Sequence, residues 1–143
     1  MNGDPHTGTC AYLLSPSHRL ALGRLAGYVD GDYFAACVDR LHAHPEWDRR
    51  FDVIWDVTEV DVLDISPEGL QEMVRAQTND AVGMDVLVAD RETREAVLRL
   101  YARLVERYGR PSSVCETLDE AVQQVGFSQL PEAFLVESRW ESV

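Results

Sequence analysis

Four carboxylates, Asp56, Glu59, Asp61 and Asp64, stand within one nine-residue stretch, and Ser66-Pro67-Glu68 follows at once. A hard cation such as Mg²⁺ or Ca²⁺ needs oxygen ligands gathered in this way. The spacing fits no calcium loop, however, and Val57, Val60, Val62, Leu63 and Ile65 interleave the acids. They read as the solvent side of an irregular strand, and no metal is expected. Cys37, His42 and His44 are zinc-type ligands, but on a helix Cys37 and His44 share a face that His42 leaves, and no second Cys/His group completes four ligands. Histidines near a helix C-terminus favour its dipole instead. There is no Ser/His/Asp order and no glycine-rich phosphate loop. With no acid, base and nucleophile to assemble, the chain reads as non-enzymatic and without a cofactor.

Arg99, Arg103 and Arg107 recur every four residues, with Arg110 just beyond. Such a ridge suits an anion or an acidic partner. Glu95 and Glu106 flank it, and Glu95 to Arg99 is a favourable i,i+4 pair, so a solvated face laced with ion pairs is the simpler reading.

These residues sit in a chain of 143 residues, a length usual for one domain and able to bury a core without disulfides or metal. Thirteen basic residues, all Arg, face 25 acidic ones, a net charge of −12 that repels phosphate backbones and anionic lipid, so nucleic acid is an unexpected partner. The absence of Lys fits either a GC-rich genome or adaptation of the surface to high salt. Cys10, Cys37 and Cys115 are odd in number and have no C-x-x-C spacing, which suits a reducing compartment. The N-terminus has neither a basic region nor an apolar run, and no stretch approaches 18 apolar residues. A cytoplasmic protein without membrane insertion is expected.

The elements that must carry these side chains follow from pattern. Residues 1–9 read as a flexible tail, 10–127 as one α/β domain and 128–143 as a C-terminal extension with no clear period. Ala11–Leu14 and Leu20–Val29 flank a Ser-Pro-Ser-His turn and form an N-terminal hairpin. Asp30 caps a helix over Asp32–His42, with Phe34, Val38 and Leu41 on one face and Pro45 as its stop. A strand begins at Phe51 and leads into an acidic connection, and Ser66-Pro67-Glu68 gives N-cap, N1 and first-turn acid of the next helix, with Leu70, Met73 and Val74 inward. Met84–Ala89 is nearly continuous in apolar residues, as in a strand covered on both faces. Arg91–Tyr108 carries an apolar stripe at helical spacing, ended by Gly109 and Pro111. Ser113–Glu116 is a last short strand, and Thr117-Leu118-Asp119-Glu120 a capping box. The class is α/β: a mixed sheet of about five strands whose later members are joined by right-handed βα crossovers.

The hairpin ending in LALGRLAGYVDGDYF, the RLHAHPEWDRRFDVIWDVTEVDVLDIS block, VLVADRET before a long helix containing RLYARL, and the TLDEAV helix start together resemble the STAS-like family, the fold of bacterial anti-sigma-factor antagonists and their small SpoIIAA-like relatives. The likeness runs from Cys10 to Val125, about four fifths of the chain. In signalling members a serine in an Asp-Ser-Ser-Gly turn, at the start of the helix after the third strand, is phosphorylated and controls partner binding. The matching stretch is Asp64-Ile65-Ser66-Pro67-Glu68-Gly69, which puts Ser66 at the modifiable position, although Ile65 replaces the first serine and Pro67-Glu68 the tight glycine. The resemblance implies a regulatory module that binds a protein partner through Asp56, Asp64, Ser66 and Glu68, with Ser66 a candidate phosphosite and a homodimer a candidate assembly. Related lipid-exchange domains share the arrangement, so a carrier of a small apolar ligand is the alternative.

Overall fold

The computed structural model describes residues 8–77, 82–90 and 92–143. Its first two strands, β1 (Thr9–Ser15) and β2 (Leu20–Asp30), are antiparallel neighbours in register from Thr9 opposite Ala26 to Ser15 opposite Leu20. Pro16–His18 forms one 3₁₀ turn between them, and Arg19 closes it in the left-handed region at φ 52°. The Ser15 hydroxyl and His18 Nδ1 meet across the turn at 2.7 Å. Of the tail expected over residues 1–9, all but Gly8 and Thr9 lie outside the described residues, and Thr9 already belongs to β1.

α1 (Gly31–His42) begins where the Asp30 carboxylate accepts the Tyr33 N–H, and it buries Phe34, Cys37, Val38 and Leu41. β3 (Asp52–Asp64), α2 (Pro67–Gln77), β4 (Asp85–Val88), α3 (Glu92–Arg107) and β5 (Ser112–Cys115) follow. β2, β3, β4 and β5 are parallel and adjacent in chain order, so each helix crosses to the next strand in the same direction along the sheet. That repeated step stacks α1, α2 and α3 on one face. There their inward residues, among them Phe34, Val74 and Tyr101, share a core with Trp55 and Leu87. α4 (Leu118–Gln124), capped by the Thr117 hydroxyl accepting the Glu120 N–H, lies on the other face with Leu22, Ile54, Val86 and Phe134. The class is therefore α/β, as the pattern predicts.

The sheet has six strands rather than about five, in the order β5-β4-β3-β2-β1-β6. The extra one, β6 (Glu141–Ser142), comes from the C-terminal extension and adds antiparallel to the free edge of β1. A strand of two residues has no period to read. No helix among the described residues is long and apolar enough to cross a membrane.

Candidate functional site

β3 is thirteen residues long and its partner β2 eleven. The two additional residues sit at register shifts opposite Arg24/Ala26 and Gly27/Tyr28, where β3 bulges. Each bulge turns the strand's alternation over, so the acids of this strand do not fall on one face. Asp56 shapes the first: its carboxylate accepts from the Thr58 N–H at 3.0 Å and from the Thr58 hydroxyl at 2.7 Å. Gly27, at φ 76°, lies at the second.

The acidic connection expected after the strand is thus strand itself, continuous to Asp64. Asp56 therefore lies on the same strand as Asp64, upstream of Ser66 and Glu68. Asp56 is half-buried at mid-strand and lies opposite Arg24, six β2 residues before the Asp30 that faces Asp64, which separates the two acids by on the order of 20 Å. Asp64, Ser66 and Glu68 follow one another at the exposed junction of β3 and α2. β4 pairs with β3 only over Val53–Asp56, so from Val57 to Asp64 β3 has β2 on one side and, among the described residues, no strand on the other. Val57 and Val60 enter the core, while Glu59, Asp61, Val62 and Asp64 are exposed. The open edge then runs through half-buried Ile65 into the exposed start of α2, Ser66 to Gly69.

At this end Asp64 accepts a hydrogen bond from the Tyr28 hydroxyl. That bond, with partial burial and the nearby charges of Asp64 and Asp30, raises the hydroxyl's pKa above the ordinary tyrosine value. The Ser66 hydroxyl accepts the Gly69 N–H at 3.0 Å, and the Ser66 carbonyl accepts the Leu70 N–H at 2.9 Å, so Ser66 is a working N-cap.

The remaining chemistry-bearing residues separate. Cys37 meets Cys10 in the core; its hydrogen bond with Cys10, and then burial, push the Cys37 thiol well above the ordinary cysteine range. His42 stacks on Trp47 with ring centroids 4.4 Å apart. His44 Nε2 lies 2.7 Å from the Glu141 carboxylate, and its Nδ1 accepts the Glu46 N–H at 3.0 Å. Arg99 pairs with Glu95 as its spacing implies, but Arg110 is not on that ridge. It turns inward, 5% exposed, to within 3.4 Å of the fully buried Asp85. Sequence reasoning missed this pair and the contact of Cys10 with Cys37, since each joins residues far apart in the chain. One signal was present: an Asp opening the otherwise apolar run Asp85–Ala89 needs a buried partner.

No protein-family model matches the chain, and neither a curated protein nor a solved structure matches it. The geometry alone carries the argument for function.

Among the described residues no three of His, Cys, Asp and Glu gather to hold a metal ion. Asp56 is engaged by Thr58, Asp64 by Tyr28, and the strand spreads the four acids along its length. A chelator should therefore leave the melting temperature within a degree or so of its value in plain buffer. A fall of several degrees would restore the carboxylates as a metal site.

Proposed function

We propose that the chain is a non-enzymatic STAS-like interaction module that engages a protein partner through the distal half of β3 and the first turn of α2. One observation carries this reading: the stretch Glu59–Asp64, which among the described residues has no strand on its second side, runs directly into an exposed helix start. A strand with no strand neighbour on one side is a place where an incoming strand can add. Exposed Glu59, Asp61, Asp64 and Glu68 around Val62, 44% exposed, favour a partner with basic residues about an apolar contact. The run of four adjacent parallel strands with three helices on one face supports the STAS-like topology.

Ser66 stands at the position that such modules phosphorylate, exposed and at a helix N-terminus, where a phosphate meets favourable backbone dipoles but also Asp64 and Glu68. The carrier reading needs space between helices and sheet. At the centre of that layer Phe34, Trp55 and Tyr101 fill it, with Phe34 5.5 Å from Trp55 and 6.1 Å from Tyr101 between ring centroids, which favours the module.

Capture of a partner from host lysate tests the surface. The charge reversals Asp61→Arg and Glu68→Arg, both at exposed positions, should abolish capture while the melt stays near wild type. Ser66→Ala should cost about 1 kcal/mol of stability through the lost cap, and Ser66→Asp much less. Undiminished capture by both reversals would defeat the proposal, whereas loss of capture with Ser66→Asp alone would make Ser66 its switch.

A further inference from the structure

The C-terminal segment after α4 crosses the sheet face that α4 leaves uncovered and ends on the edge of β1. Phe134 is inserted there without exposure, into the cluster that contains Leu13, Leu22 and Ile54. Trp140 lies against the same cluster, its indole N–H donating to the Phe134 carbonyl at 3.1 Å. The Arg24 guanidinium sits over the Trp140 ring, 4.3 Å from its centroid, and 3.8 Å from the Glu137 carboxylate. Glu141 reaches His44, β6 pairs with Ala11 and Tyr12, and the Val143 N–H donates to the Cys10 carbonyl at 3.0 Å. Two aromatic anchors, one cation–π contact and two acid contacts thus hold the strap onto a groove formed by β1, β2 and the turn that follows α1.

We infer that this groove is a docking site for an extended segment of a partner protein, and that the chain's own residues 132–143 occupy it as an internal stand-in. The partner segment is one that repeats the strap's chemistry: two large aromatic residues six apart, with carboxylates placed to meet Arg24 and His44. This surface is separate from the β3 edge and does not depend on it.

Three features mark the strap as exchangeable cover. It takes up only Cys10, Ala11 and Tyr12 of a seven-residue edge. Leu13, Leu14 and Ser15 are left to line a cleft of about 400 Å³ with Ala133, Arg139 and Glu141. The seated strap leaves Leu135 63% and Val136 42% exposed, so its own apolar residues are incompletely used. Its ion pairs lie at the rim, with the side chains of Glu137 84% and Glu141 51% exposed, where charged contacts are weak and readily exchanged. The Arg24 guanidinium, in a chain of net charge −12, favours an acidic occupant.

The test uses the full chain and its Glu137→Arg/Glu141→Arg variant, which sets like charge against Arg24 and removes the Glu141 contact with His44 without touching the buried anchors. The probe is a fluorescein-labelled peptide of residues 131–143, read by anisotropy. The variant should bind it at least tenfold more tightly than the wild type, because the internal competitor is loosened, and a probe with Phe134→Ala and Trp140→Ala should bind neither. Equal affinity for the two proteins, or no saturable binding to the variant, would overturn the inference. Dimerisation of the variant without peptide would also overturn it, making the occupant the strap of a second copy.

Discussion

Asp85→Ala and Arg110→Ala should each destabilise the protein by about 3–5 kcal/mol in urea denaturation, since either leaves an uncompensated charge in the interior. Asp85 opens β4 opposite Ser112 of β5, fully buried, and Arg110 reaches it just after Gly109 ends α3. The Arg110 Nε–H also donates to the Gly83 carbonyl at 3.1 Å, so one guanidinium ties the start of β4 to the chain that precedes it. A paired removal, Asp85→Leu with Arg110→Met, should recover most of the loss, because two apolar side chains leave no charge to desolvate. Additive losses in the double variant would show that the two do not act as a pair.

The same pair sets a pH dependence. Burial raises the Asp85 carboxyl above the ordinary range, against the opposing pull of Arg110 and the Tyr101 hydroxyl. The folded state then keeps a proton that the unfolded chain has already released, so this group's contribution to stability falls as pH rises from about 4 towards the folded value and stays lost above it. Relative to Asp85→Asn, the wild type should therefore be more stable near pH 4 than near pH 7. A difference that grew with pH instead would contradict the desolvation argument.

Gly23→Ala should cost about 2–3 kcal/mol, although it is the smallest change a glycine can undergo. Gly23 faces Tyr12 across β1 and Trp55 across β3. A methyl group there would lie 2.2 Å from Trp55 Cζ3 and 2.4 Å from Cε3. The indole, 2% exposed, is pinned against Phe34 and has no room to withdraw. Trp55→Leu alone should lose about 3 kcal/mol to the cavity it leaves. Combined, the two should lose at least 1 kcal/mol less than the sum of the singles, because the new methyl group then occupies space that the ring gave up. Strict additivity would mean that Gly23 is held for some reason other than the ring.

What the sequence determined by itself is what one turn of chain can encode. Asp30 caps α1, Ser66 caps α2 and Thr117 caps α4 through bonds to the third residue onward, and each was legible from residue type and spacing. The stripes Phe34, Val38, Leu41 and Leu70, Met73, Val74 were legible for the same reason, since apolar residues three or four apart meet on one helix face whatever lies opposite. These local signals also ordered the elements and so gave the α/β class. Only the tertiary structure decided which distant segments met. The two bulges of β3 show only in its pairing with β2, and the continuous strand holds Asp56 apart from the acids grouped with it in the sequence. β6 exists because the edge of β1 was free, and Cys37, His44 and Arg110 found Cys10, Glu141 and Asp85 across the fold instead of the neighbours their spacing suggested. Such contacts depend on chain topology and on the burial it creates, which no short window of residues contains.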